Sequence, residues 1–411
     1  MKVLWFEVTE PSRYKEGGKP IGGWQDSLEN IVRKYSKIEL CIAFMSCHSE
    51  TKEIDGVTYK PIKFHYSFLE KYTKKYWDIF VEKMLPSAIK IIEDYNPDII
   101  HIFGTEWPFG QIAKYTKVPI VIHIMGAIVP LNNANYPPGY SKFDIIKQCG
   151  FNLWKIFTTI KTFIDSNNRE YWERNTWHSV SNFMGRTDWD LMISGLLHPD
   201  RKYFHVEEAL RPSFINSKIK WTNQNKTKIK LITTGCGNFW KGPDMLLKTA
   251  KILTELNVNF EWNVAGKMPD NIRTIVEKKE KAKFSNNNVI FLGFVNPEKL
   301  SELLVSSTLY VHTSYMENSP NSICEAQCLG VPVVSTNVGG ISTLVRNDID
   351  GILVPANDPW QMTNAILELS TDQARLMRYS NNAREYAMSR HNPEHILNQL
   401  LNCYKTIIDN Q

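Results

Sequence analysis

The chain has 411 residues, with 48 Lys and Arg against 43 Asp and Glu, so its formal charge is +5. Hydrophobic residues make up 43% of the chain and charged residues 22%, a composition that excludes a disordered protein. The length predicts two or three domains. The weak positive charge is compatible with a phosphate-bearing ligand or an anionic membrane but requires neither.

The seven cysteines are odd in number and lack the spacing of a metal site, so we expect reduced and mostly buried thiols. The sequence begins directly with an apolar strand, which predicts that there is no signal peptide. No apolar run reaches the roughly 18 residues that a membrane-spanning helix needs. We therefore expect a cytoplasmic protein, either free or peripheral on the inner face of the cell membrane.

Short apolar runs alternate with longer amphipathic stretches, a pattern typical of a parallel sheet with helices on both faces. In the first half, the predicted strands are Val3–Val8, Ile38–Phe44, Val57–Ile62, Ile99–Phe103, Val118–Ile124 and His178–Ser181. The predicted helices there are Trp24–Tyr35, Lys71–Tyr95 and Phe109–Tyr115.

The second half repeats the pattern. Its predicted strands are Lys228–Thr234, Phe260–Ala265, Val289–Phe291, Leu309–Thr313, Val331–Ser335 and Ile352–Val354. Its predicted helices are Asp244–Leu256, Pro297–Ser306, Pro320–Leu329 and Pro359–Leu369.

The polar stretch Pro212–Lys226 separates the halves and is interpreted as a linker. The sequence thus predicts two doubly wound α/β domains, at 1–215 and 216–390, facing a central cleft. An amphipathic helix at Pro393–Ile408 occupies most of 391–411, and we expect it to cross back to the N-terminal domain. Ligands of such sheets bind at the carboxyl ends of the strands.

The segment from Glu317 to Ala326 carries the clearest chemical signal. It follows a predicted strand, and Pro320 suits the first position of a helix with Ser319 as its cap. The amides of such a helix start would bind an anion. Glu317 and Glu325 suit hydrogen bonds to hydroxyls of a sugar and of a ribose. The competing interpretation, a capped helix with two solvated glutamates, explains the whole string less well.

Three glycine-containing turns follow other predicted strands. They contain Gly235 with Lys241 and Gly242, Gly339 with Gly340, and Gly22 with Gly23. Glycine lets the backbone approach a ligand closely, and a lysine supplies a point charge for phosphate. Each turn alone is compatible with an ordinary surface loop, but their common position at strand ends favours a shared anion site.

Two histidines, His101 and His123, end successive strands of the first half. A histidine at this position can hydrogen-bond a sugar hydroxyl or relay a proton, although core packing is the more common role. His123 is the stronger candidate because Gly126 follows it closely.

These motifs resemble the retaining glycosyltransferases of family four, the group 1 glycosyltransferases, which have the GT-B architecture of two Rossmann-like domains. The resemblance is dense across about residues 230–360, where Glu317 and Glu325, the lysine loop, the turn Val338–Ile341 and the segment Asp350–Pro355 match family motifs. In the first half, it rests on the Gly22-Gly23 turn and the two histidines.

The resemblance implies catalytic roles for Lys241 at the donor diphosphate, Glu317 at the donor sugar and His123 near the reacting sugar. It also implies that Glu325 contacts the ribose and that Phe294 packs beside the base. The other donor-binding residues that it implies are Gly22, Gly23, Gly235, Gly242, Asn318, Ser319, Pro320, Asn321, Ser322, Gly339 and Gly340.

Two positions depart from the family pattern. Cys236 stands where the family usually has an arginine, so one phosphate cation is missing or is supplied by Arg186 or Arg211. Thr343 stands where a glutamate is frequent. We identify no Asp-x-Asp motif or other tight carboxylate cluster, and with the resemblance this predicts no obligatory divalent metal and no cofactor besides the nucleotide-sugar donor.

The implied reaction moves a sugar from a nucleoside diphosphate to a glycan or lipid-linked acceptor with retention of configuration, in cell-surface polysaccharide synthesis. No nucleic-acid partner is expected. Two alternatives stay open: a sugar-nucleotide epimerase of the same architecture, and a non-catalytic nucleotide-sugar-binding subunit, which the residue Cys236 suggests.

Two aromatic and basic segments, Phe151–Phe163 and Phe68–Lys90, bear on the acceptor. Each either lies on an anionic membrane or packs its apolar face on its own domain with the lysines reaching solvent. Packing is slightly favoured for each alone, while the two together make a lipid-linked acceptor a reasonable hypothesis.

Overall fold

Buried strands and amphipathic helices alternate along the computed structural model, which describes residues 1–15, 23–73, 75–222 and 228–410. The chain divides into two units. Unit 1 comprises Met1–Asn132, Phe157–Ala209 and Asn392–Gln411, and unit 2 comprises Asn133–Ile156 and Leu210–His391. The division differs from the predicted boundaries in two ways, since it falls after residue 209 and places 133–156 with the second unit.

The strands of unit 1 form one sheet. Within the described residues, these strands are β1 (Lys2–Glu7), β2 (Glu39–Met45), β3 (Lys52–Ile54), β4 (Val57–Ile62), β5 (Ile99–Phe103), β6 (Ile120–His123), β7 (Asn182–Gly185) and β8 (Lys202–His205). The order is β3-β4-β2-β1-β5-β6-β7-β8, and the pairs are parallel except for β3 with β4. Alternate residues of β1 enter opposite cores, Trp5 on one face and Phe6 on the other, as expected for a sheet covered on both sides.

The strands of unit 2 form a second sheet, which is parallel throughout its described pairs. They are β9 (Ile229–Thr234), β10 (Phe260–Ala265), β11 (Val289–Gly293), β12 (Leu309–His312), β13 (Val333–Thr336) and β14 (Gly351–Val354). The order is β11-β10-β9-β12-β13-β14. The chain leaves β9 towards one edge and returns beside it as β12, so the switch point of the sheet lies between these two strands.

Helices connect the strands. In chain order they are α1 (Trp24–Tyr35), α2 (Phe68–Tyr72), α3 (Tyr76–Tyr95), α4 (Ile128–Ala134), α5 (Lys142–Gln148), α6 (Leu153–Ser179), α7 (Asp188–Leu197), α8 (Pro212–Ile215), α9 (Pro243–Glu255), α10 (Asp270–Glu280), α11 (Pro297–Ser306), α12 (Asn321–Cys328), α13 (Ile341–Leu344), α14 (Pro359–Thr371), α15 (Gln373–Arg390) and α16 (Pro393–Asp409). Short 3₁₀ helices lie at Pro108–Lys114, Phe239–Lys241 and Phe284–Asn287. None of the described helices combines the length and apolar character needed to cross a membrane.

The structure corrects several predicted elements. The strand predicted at His178–Ser181 is wrong, because α6 continues to Ser179 and the next strand begins at Asn182. The single long helix predicted at Lys71–Tyr95 is interrupted, because a capping box between Ser67 and Glu70 starts a separate short helix before α3. Phe109–Tyr115 is replaced by the 3₁₀ helix at Pro108–Lys114. The proposed linker contains α8, whose Phe214 is buried, while 223–227 lies outside the described residues.

Helix α16 belongs to unit 1, where its apolar face packs in the same core as α1 and β1. Tyr404 of α16 is buried, and its hydroxyl accepts a hydrogen bond from Trp5 Nε1 at 3.1 Å and lies 2.6 Å from His101 Nδ1. The indole N–H only donates, so the hydroxyl accepts from Trp5, and the tautomer of His101 sets whether the hydroxyl donates to or accepts from Nδ1. Burial lowers the pKa of His101 to about 3, so this ring is a neutral part of the core.

We expect Tyr404→Phe to destabilise unit 1 by about 2 kcal/mol or more, since it leaves Trp5 Nε1 and His101 Nδ1 buried without partners. Tyr115→Phe is the control because the side chain of Tyr115 is exposed. Urea unfolding followed by tryptophan fluorescence measures both variants. Equal midpoints would show that the Tyr404 hydroxyl contributes nothing.

Candidate functional site

The loops that leave β9 and β12 flank the switch point of the second sheet. The first loop contains the 3₁₀ helix Phe239–Lys241, and the second runs from Thr313 to the start of α12. Backbone contacts fix the two loops together: Tyr315 N donates to the carbonyl of Trp240 at 2.7 Å, and Thr313 Oγ1 donates to the carbonyl of Lys241 at 3.0 Å. The position of Lys241 is therefore set by the neighbouring strand.

A single carboxylate oxygen organises this edge of unit 2. Glu317 Oε1 lies 2.6 Å from the ammonium of Lys241, 2.7 Å from Ser314 Oγ and 3.1 Å from His312 Nε2. The other ring nitrogen of His312 lies 3.3 Å from the hydroxyl of Tyr310. The carboxylate is therefore held from both neighbouring strand ends.

The charge state of Glu317 follows from these contacts. Its side chain is 9% exposed, and burial alone would raise its pKa. The positive charge of Lys241 and the hydrogen bond from His312 outweigh burial and lower the pKa of Glu317 to about 2. The group is therefore ionised at neutral pH, beside an ammonium that is 28% exposed.

Glycines make the close packing of the loops possible. Gly242 and Gly339 have φ of +69° and +53°. A Cβ at Gly242 would lie 1.9 Å from the carbonyl oxygen of Thr313, and one at Gly339 would lie 1.7 Å from that of Glu317. The N–H of Gly340 donates to the same carbonyl of Glu317 at 3.1 Å. The predicted Gly339-Gly340 turn thus lies directly against the Glu317 loop.

Helix α12 begins one residue later than predicted. Asn321 is its first residue and Pro320 is the cap, so Ser319 is not the N-cap. The amides of a first helical turn have no partners within the helix, so Asn321 and Ser322 point such donors towards this edge. Asn318 and Ser319 precede the helix and are 8% exposed.

Glu325 lies inside α12 and is buried. Both of its oxygens are bound by Arg211, whose Nε and Nη2 lie 2.7 Å from Oε1 and Oε2. Arg211 therefore pairs with a carboxylate of its own unit. Arg186 lies in unit 1, where its Nε is 3.1 Å from Glu208. Cys236 cannot replace the positive charge of an arginine, because a thiol is either neutral or negative, and burial raises its pKa to about 12 and keeps it neutral.

The remaining candidates of unit 2 occupy strand ends. Gly235 follows β9 with φ of +75° and open space around its Cα. Phe294 follows β11 and is 65% exposed, so its ring is available for stacking. His312 and Ser314 were missed by the sequence analysis. His312 ends a strand just before the Glu317 loop, which is the same signal that selected the histidines of the first half.

Fewer of the predicted site residues can be described in unit 1. Gly22 lies outside the described residues. Gly23 is the N-cap of α1, so no capping side chain binds the first amides of this helix. His123 ends β6 fully buried, with Trp24 at 4.8 Å and His101 at 5.5 Å between ring centroids. Neither ring nitrogen of His123 has a hydrogen-bond partner among the described residues. Burial, with the charges of His101 and Arg186, lowers its pKa well below the ordinary value.

The prediction that no Asp-x-Asp motif is present is wrong, since the sequence contains two such strings, and the structure gives Asp190, Asp348 and Asp350 local roles. Asp190 accepts the N–H groups of Arg186 and Thr187 at the start of α7. In the other string, Asp348 pairs with Arg375 and Asp350 pairs with Arg346. These contacts explain the carboxylates as structural groups.

The comparisons with known proteins agree with this geometry. The family described as glycosyl transferases group 1 matches residues 215–386, which contain the whole Lys241 and Glu317 arrangement. Over this segment, the chain is similar to the group 1 glycosyltransferases.

A curated relative, the UDP-Gal:alpha-D-GlcNAc-diphosphoundecaprenol alpha-1,3-galactosyltransferase of Escherichia coli, is 26% identical over 178 residues, 40% of this chain and 43% of the relative. The chain spans between 42% and 50% of the length of the first curated relatives that it matches.

Solved structures resemble the whole chain. The sucrose-phosphate synthase of Thermosynechococcus elongatus has a TM-score of 0.73 at 14% identity and is covered completely, as is this chain. HepE of Anabaena, solved with UDP and glucose, has a TM-score of 0.63 at 16% identity over 98% of both chains. These likenesses confirm the predicted GT-B fold, with a Rossmann-like sheet in each unit.

The lowered pKa of Glu317 predicts a pH-dependent stability. Because the pKa falls from the ordinary 4.5 to about 2 on folding, the stabilisation is present above pH 4.5 and is lost as the pH falls towards 2. We expect the stability difference between the wild type and Glu317→Gln to shrink by about 2 kcal/mol from pH 7 to pH 3.

Urea titrations at several pH values measure this difference. Glu302→Gln is the control, since Glu302 is exposed in the same unit and should differ little from the wild type at any pH. A constant difference for Glu317→Gln across the range would contradict the assigned ion pair.

Proposed function

We propose that the protein is a retaining glycosyltransferase that moves a sugar from a nucleoside diphosphate to a glycan or lipid-linked acceptor without an obligatory metal. One observation carries the proposal: Lys241, Glu317, the Gly339-Gly340 turn and the start of α12 lie together at the switch point of unit 2. The printed names of relatives support the donor class, since one names UDP-Gal and another was solved with UDP and glucose.

The leaving diphosphate needs stabilisation while the bond to the anomeric carbon breaks. Preorganised amides and a cation aimed at the growing negative charge supply it most effectively. We assign this role to Lys241, to the amides at Asn321 and Ser322, and to the Gly339-Gly340 turn. The family resemblance adds Gly235 and Gly242 on the same side, with Phe294 beside the base.

Glu317 has a different role because it is anionic. Three of its contacts hold Oε1, so the carboxylate is fixed in direction before any ligand arrives. We assign it to hydroxyl groups of the donor sugar and to the positive charge that develops on the sugar ring. Glu325, fixed by Arg211, is assigned to the ribose, and His123 and the Gly22-Gly23 turn of unit 1 to further donor contacts.

Lys241→Ala and Glu317→Ala test the assignment. Each should lower kcat/KM by at least about 100-fold, as the loss of one preorganised charge-stabilising group does. Lys228→Ala is the matched control, because Lys228 also pairs with a glutamate of unit 2 but lies away from the loops named above. A thermal-shift screen of UDP-, GDP- and ADP-sugars selects the donor for these assays.

The assay also separates the alternatives. Incubation with donor alone, analysed by NMR of the sugar, reveals an epimerase if the donor rearranges without an acceptor. Donor binding in calorimetry without turnover on any acceptor would indicate a non-catalytic subunit. Wild-type rates in both variants would refute the site assignment.

A second observation concerns the proposed acceptor. Helix α6 exposes Leu153, Phe157 and Ile160 along one face, with Trp154 beside them and Phe151 fully exposed just before the helix. These five side chains keep 43% or more of their surface exposed, unlike Trp77, Phe80, Val81 and Met84 of α3, which are buried. We propose that the α6 face, with exposed Lys147 and Lys155 near it, contacts an anionic membrane that presents a lipid-linked acceptor.

Vesicle flotation at low salt tests this contact. The wild type should float with vesicles that contain anionic lipid, and Trp154→Ser with Phe157→Ser should reduce the bound fraction several-fold, because the substitutions remove apolar area. Trp360→Ser is the control, since Trp360 is a similarly exposed tryptophan on a helix of unit 2. Absence of flotation of the wild type would contradict the proposal.

A further inference from the structure

A second group of reactive side chains lies in unit 1, at residues to which the proposed transfer reaction assigns no role. Glu10 follows β1, while Cys47 and His48 follow the neighbouring strand β2. Because β1 and β2 are parallel, their carboxyl ends meet at one edge of the sheet. One ligand atom from each of the three residues lies within 4.8 Å of the other two.

The distances suit a small ion. His48 Nδ1 lies 3.0 Å from Glu10 Oε1 and 3.9 Å from Cys47 Sγ. A tetrahedral zinc ion with bonds of about 2.3 Å to sulfur and about 2.0 Å to nitrogen and oxygen separates nitrogen from oxygen by about 3.3 Å and nitrogen from sulfur by about 3.5 Å. These two pairs therefore need to move by only a few tenths of an ångström, while the Cys47 and Glu10 ligand atoms lie within 4.8 Å of each other.

The hydroxyl of Ser46 already binds the carboxylate of Glu10. Ser46 Oγ donates to Glu10 Oε1 and accepts the N–H of His48 at 2.9 Å. Hydrogen bonds of this kind orient ligands in known metal sites and are worth 10- to 100-fold in affinity. Ser46 therefore connects two of the three ligands.

The surroundings leave space for exchange with solvent. The three side chains line an open cavity of about 710 Å³, and Cys47 is exposed. Five of the other cysteines are buried, and Cys149 is the remaining partly accessible thiol. A metal held here would keep a fourth position directed at the cavity, as sites with three protein ligands do.

We propose that Glu10, Cys47 and His48 bind one transition-metal ion of the zinc type, with the fourth position open to water or a ligand. The thiol loses its proton to solvent on binding, and the ion gains one sulfur, one nitrogen and one oxygen bond. Thiolate and imidazole favour zinc or cobalt over magnesium and calcium. The bound ion would fasten the loop after β1 to the loop after β2.

Cobalt(II) substitution tests the site directly in the full chain, prepared without a tag and kept anaerobic. The wild type should develop a near-ultraviolet sulfur-to-cobalt charge-transfer band that saturates at one equivalent and is displaced by zinc. Cys47→Ser should lose the band, while Cys149→Ser, the control for the other accessible thiol, should keep it.

Affinity measurements complete the test. By competition with a chromophoric chelator, His48→Ala and Glu10→Gln should each weaken zinc binding by more than about tenfold, and Ser46→Ala by about tenfold. Zinc should raise the thermal midpoint of the wild type but not of Cys47→Ser. Absence of the band in the wild type, or its persistence in Cys47→Ser, would overturn the proposal. None of these readouts depends on glycosyl transfer.

Discussion

The ion pair between Lys241 and Glu317 is the constraint on which the site of unit 2 depends. It joins a residue that follows β9 to a residue that follows β12, and these strands flank the switch point. His312 and Ser314 bind the same carboxylate oxygen, so an ammonium, an imidazole and a hydroxyl together fix one anion. Under the proposed function, a donor diphosphate would bind an ammonium whose position is already fixed. Glu317 would keep its contacts with His312 and Ser314 if that ammonium turned towards phosphate.

Much of the fold could be predicted because the decisive signals are local. The bounds of Trp24–Tyr35, Val57–Ile62, Ile99–Phe103, Phe260–Ala265 and Pro297–Ser306 agree with the structure. Each of these has a continuous buried run, an amphipathic period or a clear start signal such as Pro297 after Asn296. The Glu317 loop and the Gly339-Gly340 turn were found in the same way, since strand, turn and helix follow one another in the chain.

What could not be predicted depends on residues distant in sequence or on weak local patterns. The pair of Arg211 with Glu325 joins positions 114 apart, and nothing near Arg211 marks it as the partner. The strands β3 and β8 lie at the edges of their sheet and are only partly buried, so they lack an apolar run. The three residues of the cluster at Glu10 lie in loops that follow two strands, and no spacing in the sequence connects Glu10 with Cys47 and His48.

The place of α16 determines the order in which the two units can be completed during synthesis. Its residues Ile396, Leu400 and Tyr404 contribute to the core that contains Trp5, although all of unit 2 is translated between them. Unit 2 can thus complete its own core before α16 supplies its apolar side chains to the core of unit 1. Until α16 has been synthesised, the N-terminal part of unit 1 keeps apolar surface uncovered, and chaperones would meet that surface.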